Sequence, residues 1–231
     1  MNRKGILIIV SGFSGAGKGT IMKELTSRYE QYALSVSATT RAPRPGEEDG
    51  VAYFFRTKKE FEQMIEDGAL IEYARYVDNY YGTPKAYVEE QLTAGHDVIL
   101  EIEIQGARKI KEQYPDAVLL FVTTKDAMTL KERLEGRGTE TPEVIAQRLA
   151  RAVQESEGIE EYDYLVVNDV LEECVEQVHG IIDSEHQRIV RHKEKISKIR
   201  EELKAFAKGE YFMLHPSYTD LMRTINSEVD E

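Results

Sequence analysis

The stretch Gly12-Phe13-Ser14-Gly15-Ala16-Gly17-Lys18-Gly19-Thr20 constrains the fold more than any other part of the 231-residue chain. An apolar run, Ile6-Leu7-Ile8-Ile9-Val10, precedes it, and a helical pattern, Ile21-Met22-Lys23-Glu24-Leu25, follows. Strand, glycine-rich turn, helix is the setting of a loop that cradles phosphates. Glycine has no Cβ and reaches positive φ cheaply, so the backbone can wrap closely around an anion. Successive N–H groups then point inward at the positive end of the following helix. Lys18 adds a point charge within reach of β and γ phosphates. Gly19 separates the lysine from the first hydroxyl, which makes Thr20 the expected Mg²⁺ ligand. A glycine-rich surface turn with a solvated lysine is the alternative, and it requires neither the strand before nor the helix after.

Strand and helix patterns alternate along much of the chain. Residues 6–11 read as a buried strand and 18–29 as a helix; 33–37 read as a short strand. Residues 98–104 form another strand pattern, followed by a helix over 107–114. Residues 118–122 are a third long apolar strand, followed by a helix over 125–135. Residues 164–168 are a late strand leading into a helical pattern that runs from 171 to 208. This order predicts an α/β fold, a parallel sheet with helices on both faces. Ligands of such sheets bind at the carboxyl ends of the strands, where the glycine loop, Glu101, Glu103 and Asn168 all fall.

Two segments break the alternation. Residues 37–94 are tyrosine-rich, hold three of the six prolines and contain a short aromatic strand, Tyr53-Phe54-Phe55. They read as an inserted subdomain with its own small sheet. Residues 135–142 are rich in Arg and Gly and read as a mobile loop, a lid, with Thr141 as N-cap and Pro142 at the first helical position. The predicted organisation is a core of residues 1–36, 95–125 and 151–185, a subdomain over 37–94, a lid over 126–150, and a C-terminal helix and tail over 186–231.

Within the inserted segment, Arg41 and Arg44 lie three apart on a proline-stiffened loop. Two guanidinium forks converging on one point would hold a phosphate bidentately, and Tyr53 and Tyr81 could add phenolic hydrogen bonds. The pair also reads as ordinary surface charge; a phosphate loop in the same chain favours the pocket, because phosphoryl transfer needs a second phosphate site. The net charge of −12 weighs against nucleic-acid binding through bulk electrostatics, so any phosphate site must be a local basic cluster. The one cysteine, Cys174, allows no disulfide framework and suits a reducing compartment. No apolar run reaches the length of a membrane span, and the five residues ahead of the first strand leave no room for a signal peptide. These features predict a cytoplasmic protein.

These motifs together resemble the guanylate kinases of bacterial type. The matching residues are Gly12 through Thr20, the block Ser37-Ala38-Thr39-Thr40-Arg41-Ala42-Pro43-Arg44 onward to Tyr53, Phe61 with Glu72, Asn79-Tyr80-Tyr81-Gly82-Thr83, Glu101 to Gly106, Arg133 to Thr139, and Val167-Asn168-Asp169. The glycine loop alone would suit an adenylate kinase equally well; the block around Arg41 and Arg44 decides the family. Phe13 stands where the family usually has proline.

The resemblance implies transfer of the γ-phosphoryl group of ATP to GMP or dGMP, with Mg²⁺, in purine metabolism and GMP recycling. It implies that the GMP phosphate sits on Arg41, Arg44, Tyr53 and Tyr81. Guanine would sit on Ser37, Glu72 and Thr83, with Glu103 close by. ATP would lie on Gly12, Ser14, Gly15, Ala16, Gly17, Lys18, Gly19 and Thr20, with Asn168 near its base or ribose. Glu101 would orient metal-bound water beside Thr20. Lys18, Arg41, Arg133, Arg137 and Arg148 would carry the catalytic charge. A scaffold-type domain of the same family, using the arginine pocket for phosphorylated peptides, would have no use for Lys18 or the lid arginines. A kinase for a different monophosphate is a further possibility.

The pattern from 171 to 208 keeps apolar residues Ile189, Ile196, Ile199, Leu203 and Phe206 at helical or heptad spacing. It reads first as one long helix packing on the core and second as a surface for a second subunit, leaving monomer and homodimer both open. Residues 211–231 lie beyond the usual end of the family and read as a poorly ordered or partner-binding tail.

Overall fold

Ile6 to Val10 are each at most 5% exposed, as an unbroken apolar run demands when both faces of its strand are covered. They lead into and form most of β1 (Leu7–Gly12), the middle strand of a five-stranded parallel sheet. The computed structural model describes residues 4–76, 78–136 and 141–208. On one side of β1 lies β7 (Asp97–Glu101) and beyond it β2 (Tyr32–Leu34). On the other lies β8 (Val118–Thr123) and then β9 (Tyr164–Val167).

Alternate side chains of the central strand go to opposite faces. Ile6, Ile8 and Val10 pack with Ile21, Met22 and Leu25 of α1 (Lys18–Arg28) and with Cys174, Val175, Val178 and Ile182 of α7 (Leu171–His186). Leu7 and Ile9 pack with Val88 and Leu92 of α3 (Lys85–Ala94) and with Ala107 and Ile110 of α4 (Ile104–Gln113). Each such fully buried aliphatic side chain contributes about 1.5–3 kcal/mol, so this run anchors the loop that follows it.

Residues 38–84 build a second sheet, ordered β4 (Phe54–Phe55), β3 (Ala38–Thr39), β6 (Asn79–Pro84), β5 (Leu70–Tyr76). It carries α2 (Lys58–Glu66), whose start is fixed by a reciprocal cap between Thr57 and Glu60. Phe61 of this helix is fully buried and stacks on Tyr80, 5.2 Å between centroids. Ile71 of β5 joins the core of the parallel sheet and so joins the two sheets.

A third, smaller cluster unites α5 (Ala127–Glu135) and α6 (Pro142–Ser156) through Leu130, Leu134 and Ala152, with Phe13 packed against it. Thr141 is the N-cap and Pro142 the first helical residue, as expected, although the threonine side chain makes no capping hydrogen bond.

The chain divides into two compact units, Met1–Ile182 and Asp183–Glu231. The expected continuous helix over 171–208 is not found. α7 stops at His186, a 3-10 turn covers Ile189–His192, and α8 (Lys193–Ala207) begins afresh. Glu185, 2% exposed, collects Arg188 and Arg191, each with a nitrogen 3.2 Å away. On a straight helix a residue six positions on lies about two-thirds of a turn around the axis, so Arg191 reaches Glu185 only because the chain bends. The predicted tail over 209–231 lies outside the described residues.

The third strand ends sooner than predicted. β7 stops at Glu101, which pairs with Val10, and α4 starts at Ile104. The Ile102 N–H still donates to the Val10 carbonyl at 3.1 Å and the Ile102 carbonyl accepts from Ser11 Oγ at 2.7 Å, but Glu103 is already the N-cap of α4, so the ladder goes no further.

Candidate active site

The loop after β1 is shaped by its neighbours. Gly12 has φ 150, and a Cβ there would lie 2.0 Å from the Val122 carbonyl oxygen of β8. Gly17 caps α1 in the left-handed region, φ 92, and its Cβ would lie 2.4 Å from Asn168 Nδ2. Any other residue at either place would push a strand end away. Between them Ala16 is fully buried. Its carbonyl accepts from Asn168 Nδ2 at 2.8 Å and from Arg133 Nη1 at 3.3 Å, while Arg133 Nη2 donates to the Asn168 carbonyl at 2.8 Å. The end of β9 and the helix α5 therefore pin one loop carbonyl.

Lys18 curls along the loop, its Nζ donating to the Gly12 carbonyl at 2.7 Å and the Phe13 carbonyl at 3.2 Å. Phe13 meets Phe121 edge-on at 5.1 Å, so the residue that departs from the family pattern works as an apolar anchor for the loop. Ser14 Oγ accepts from Arg148 Nη1 at 2.9 Å, which brings α6 onto the loop. Gly19 and Thr20 are exposed at the start of α1. Glu101 stands beside them: a Cβ on Gly19 would be 3.7 Å from its Oε2. Burial among neighbouring groups pushes the Glu101 carboxyl above its usual pKa, and the Lys18 charge opposes the shift; solvent still reaches the carboxylate.

The second sheet gathers the other predicted residues. Arg41 follows β3, and its guanidinium lies 5.3 Å from the Tyr53 ring centroid. Tyr81, on β6, is 6.1 Å from Tyr53 between centroids and hydrogen-bonds Arg41. Arg44 is exposed on the same loop. Ser37 precedes β3 and its carbonyl accepts from the Phe54 N–H at 2.9 Å. Thr83, fully buried, donates to Glu72 Oε1 at 2.8 Å. Burial holds the Glu72 carboxyl above its ordinary pKa, with Thr83 and then Lys109 pulling the other way. The first turn of α4 faces this carboxylate, since a Cβ on Gly106 would lie 3.8 Å from its Oε2.

Arg41, Tyr53 and Tyr81 are thus brought together, as are Glu72 with Thr83, and the loop with Lys18, Arg133, Arg148 and Asn168. Glu103 is engaged elsewhere: its carboxylate lies 2.6 Å from Arg151 Nη2, and Arg151 Nε holds Glu155 at 3.1 Å. Arg137 lies outside the described residues. Sequence reasoning missed Glu47, which grips Arg41, and the pair Arg151 and Glu155. Glu47 carried a signal, an acid closing an Arg-Pro-Gly-Glu turn. Arg151 lies three residues past Arg148 and four before Glu155, on one helix face.

Chemically, the glycine loop offers a lysine and the N-terminal end of α1 to a polyphosphate. The other site offers a guanidinium and two phenols beside a carboxylate–hydroxyl pair able to read N–H donors on a base.

The Guanylate kinase family model matches residues 4–185. A relative from Streptococcus agalactiae (strain NEM316) named "Guanylate kinase" is 53% identical over 192 residues, covering 83% of this chain and 92% of the relative. One of the same name from Oceanobacillus iheyensis is 50% identical over 202 residues, covering 87% and 98%. The crystal structure of guanylate kinase from Anaplasma phagocytophilum superposes with a TM-score of 0.65 at 30% identity, covering 82% of this chain and 90% of that one.

Proposed function

The chain belongs to the guanylate kinase family, and we propose how its own residues divide the work of that activity. It is an ATP:GMP phosphotransferase: the γ-phosphoryl group of ATP passes to GMP, giving ADP and GDP. The observation that carries the assignment of roles is the pairing of a pinned phosphate loop with a separate Arg41–Tyr53–Tyr81 pocket in one unit of the chain.

A phosphate oxygen of GMP attacks the γ phosphorus, and the bond to the β–γ bridging oxygen breaks. No general base is needed, because the second pKa of a phosphate monoester is about 6 and the acceptor is mostly a dianion at neutral pH. Catalysis then rests on alignment and on neutralising charge in a loose transition state. Lys18 and the loop amides of residues 12–20 hold the ATP phosphates. Arg41 and Arg44, with Tyr53 and Tyr81, hold the GMP phosphate. Arg133, Arg137 and Arg148 close on the group in flight, where an inserted arginine contributes about 10³-fold or more. Closure of a lid over 126–150 and of the 37–94 subdomain excludes water and so prevents ATP hydrolysis.

Guanine presents N1–H and N2–H₂ as donors, and ionised Glu72 accepts from both; Thr83, whose single O–H goes to Glu72 Oε1 here, would have to turn from it to donate to O6. Ser37 completes the base site, which Glu103 would join only by releasing Arg151, and dGMP is an acceptor because no part of this reading uses the ribose 2′ hydroxyl. Asn168 lines the ATP side.

The residues present fit Mg²⁺. Thr20 and Glu101 offer a hydroxyl and a carboxylate near the loop, and this ion is commonly held by one or two such groups together with substrate phosphates and water. When bound, the ion neutralises charge on the β and γ oxygens. Among the described residues no helix is long and apolar enough to cross a membrane; with the single buried cysteine, this supports a cytoplasmic enzyme.

The test is an ADP-release assay with GMP, dGMP, AMP, CMP and UMP as acceptors. Turnover with GMP and dGMP well above the rest is expected; no GMP-dependent turnover would sink the assignment.

A further inference from the structure

We propose that Glu47 is a positioning residue for the acceptor phosphate: its carboxylate fixes the plane of the Arg41 guanidinium so that one edge is presented to the anion. The inference rests on the reading of Arg41 as a phosphate ligand.

Arg41 Nη1 donates to Glu47 Oε2 at 3.0 Å and Nη2 to Oε1 at 2.9 Å, a parallel two-point grip. Exposed ion pairs on free stems count for little, but here the side chains are only 16% and 21% exposed. The guanidinium is boxed in as well, with the Phe55 ring centroid 5.8 Å away in addition to that of Tyr53. Nη1 also donates to the Ala42 carbonyl at 2.7 Å. These contacts use three of the five guanidinium N–H donors. The remaining two, Nε–H and one Nη2–H, form the side edge of the group, a bidentate fork that an anion would share with the Tyr81 hydroxyl, which also hydrogen-bonds the guanidinium.

Glu47 is held independently of Arg41. Its Oε2 accepts the Arg44 N–H at 2.7 Å, and its own N–H donates to the Arg44 carbonyl at 3.0 Å. Gly46, at φ 86, closes that turn. One carboxylate therefore sets the fork of the first arginine and the backbone of the second. A carboxylate merely standing in for phosphate would have to leave when phosphate arrives, and would strand the Arg44 N–H. A carboxylate that orients can stay, because the side edge of Arg41 points elsewhere.

The test compares KM for GMP and for ATP in the wild type, Glu47→Gln, Arg41→Lys and the double variant. Glu47→Gln is expected to raise KM for GMP about tenfold, the low end of what losing an orienting partner costs a ligand, with KM for ATP unchanged. In the Arg41→Lys background, which has no fork to align, the same change is expected to add less than about twofold. The inference is overturned if Glu47→Gln leaves KM for GMP unchanged or lowers it, or if the two effects multiply. If Arg41→Lys itself leaves KM for GMP unchanged, it is the reading of the pocket that fails. Thermal unfolding without nucleotide checks that each variant is folded. Should Glu47→Gln not fold, Glu47→Asp, which keeps the charge but shortens the reach, is read by the same criteria.

Discussion

The Thr83 hydroxyl donates to Glu72 Oε1 across 2.8 Å, within a site where Thr83 is fully buried and burial raises the Glu72 pKa. A buried carboxylate with one oxygen already satisfied is a demanding reader. It rewards a base that brings two N–H donors and penalises one that brings ring acceptors. Glu72→Gln is expected to lower kcat/KM for GMP by about 10²-fold, within the range that follows from leaving buried polar groups mispaired. AMP use should fall much less. A uniform loss across acceptors in the ADP-release assay would place the selectivity elsewhere.

The raised pKa of Glu72 gives a pH signature. Guanine needs the ionised form, so KM for GMP should rise on acidification at a higher pH than an ordinary carboxylate would produce. The GMP phosphate also titrates, at about pH 6, but it does so equally for Glu72→Gln, and the ratio of the two enzymes' KM values isolates the carboxyl. The stability effect runs in the opposite direction. An acid whose pKa is raised by folding contributes most below its unfolded pKa, and that contribution is lost as pH rises through the folded value. Glu72→Gln should therefore unfold at an equal or higher temperature than the wild type near pH 8, the two converging toward about pH 5.

Lys18 reaches back 2.7 Å to the Gly12 carbonyl, so it is positioned by the loop it serves. Lys18→Met keeps much of the stem and removes the charge. Turnover is expected to fall at least about 10²-fold, the cost of losing one group aimed at developing charge. Retention of full turnover would overturn the ATP-site assignment.

Cys174 is 2% exposed and its thiol is pushed up to about 11 by burial, slightly relieved by Arg133. The thiolate is the reactive form, so thiol reagents should modify the chain at the rate at which the α7 face opens. Saturating ATP and GMP bind the folded state and should slow modification, about 100-fold in the opening equilibrium when ligand is at 100 times its Kd. Modification at the same rate with and without nucleotide would show that this helix opens independently of the site.

The parts of this molecule legible in sequence were those written in consecutive residues. Ile6 to Val10 can only be a strand covered on both faces, and the glycines after it can only be a tight loop. The nearness of Arg41 to Tyr53 and Tyr81 was half legible: the loop was marked by its prolines, but Arg44, expected to converge with Arg41, is exposed. The end of β7 at Glu101 was hidden, since the apolar pattern runs on through Ile102 and Ile104 although α4 has begun by Ile104. The grip of Glu47 on Arg41 and of Arg151 on Glu103 was hidden because charge pairs across loops leave no periodicity. The break after His186 was hidden for the opposite reason: apolar spacing continues through it, and the Glu185–Arg191 pair that accompanies the bend leaves no pattern in the sequence.

The pinning of Ala16 has a consequence for how the protein is made. Its partner Asn168 is 152 residues further along, which at synthesis rates of about 5–20 residues per second means roughly 8–30 s. During that interval the glycine loop has left the ribosome but lacks the strands that give it shape. A nascent chain stalled before β9 should therefore bind ATP more weakly than the finished chain, because the Ala16 carbonyl lacks the partner that fixes the loop.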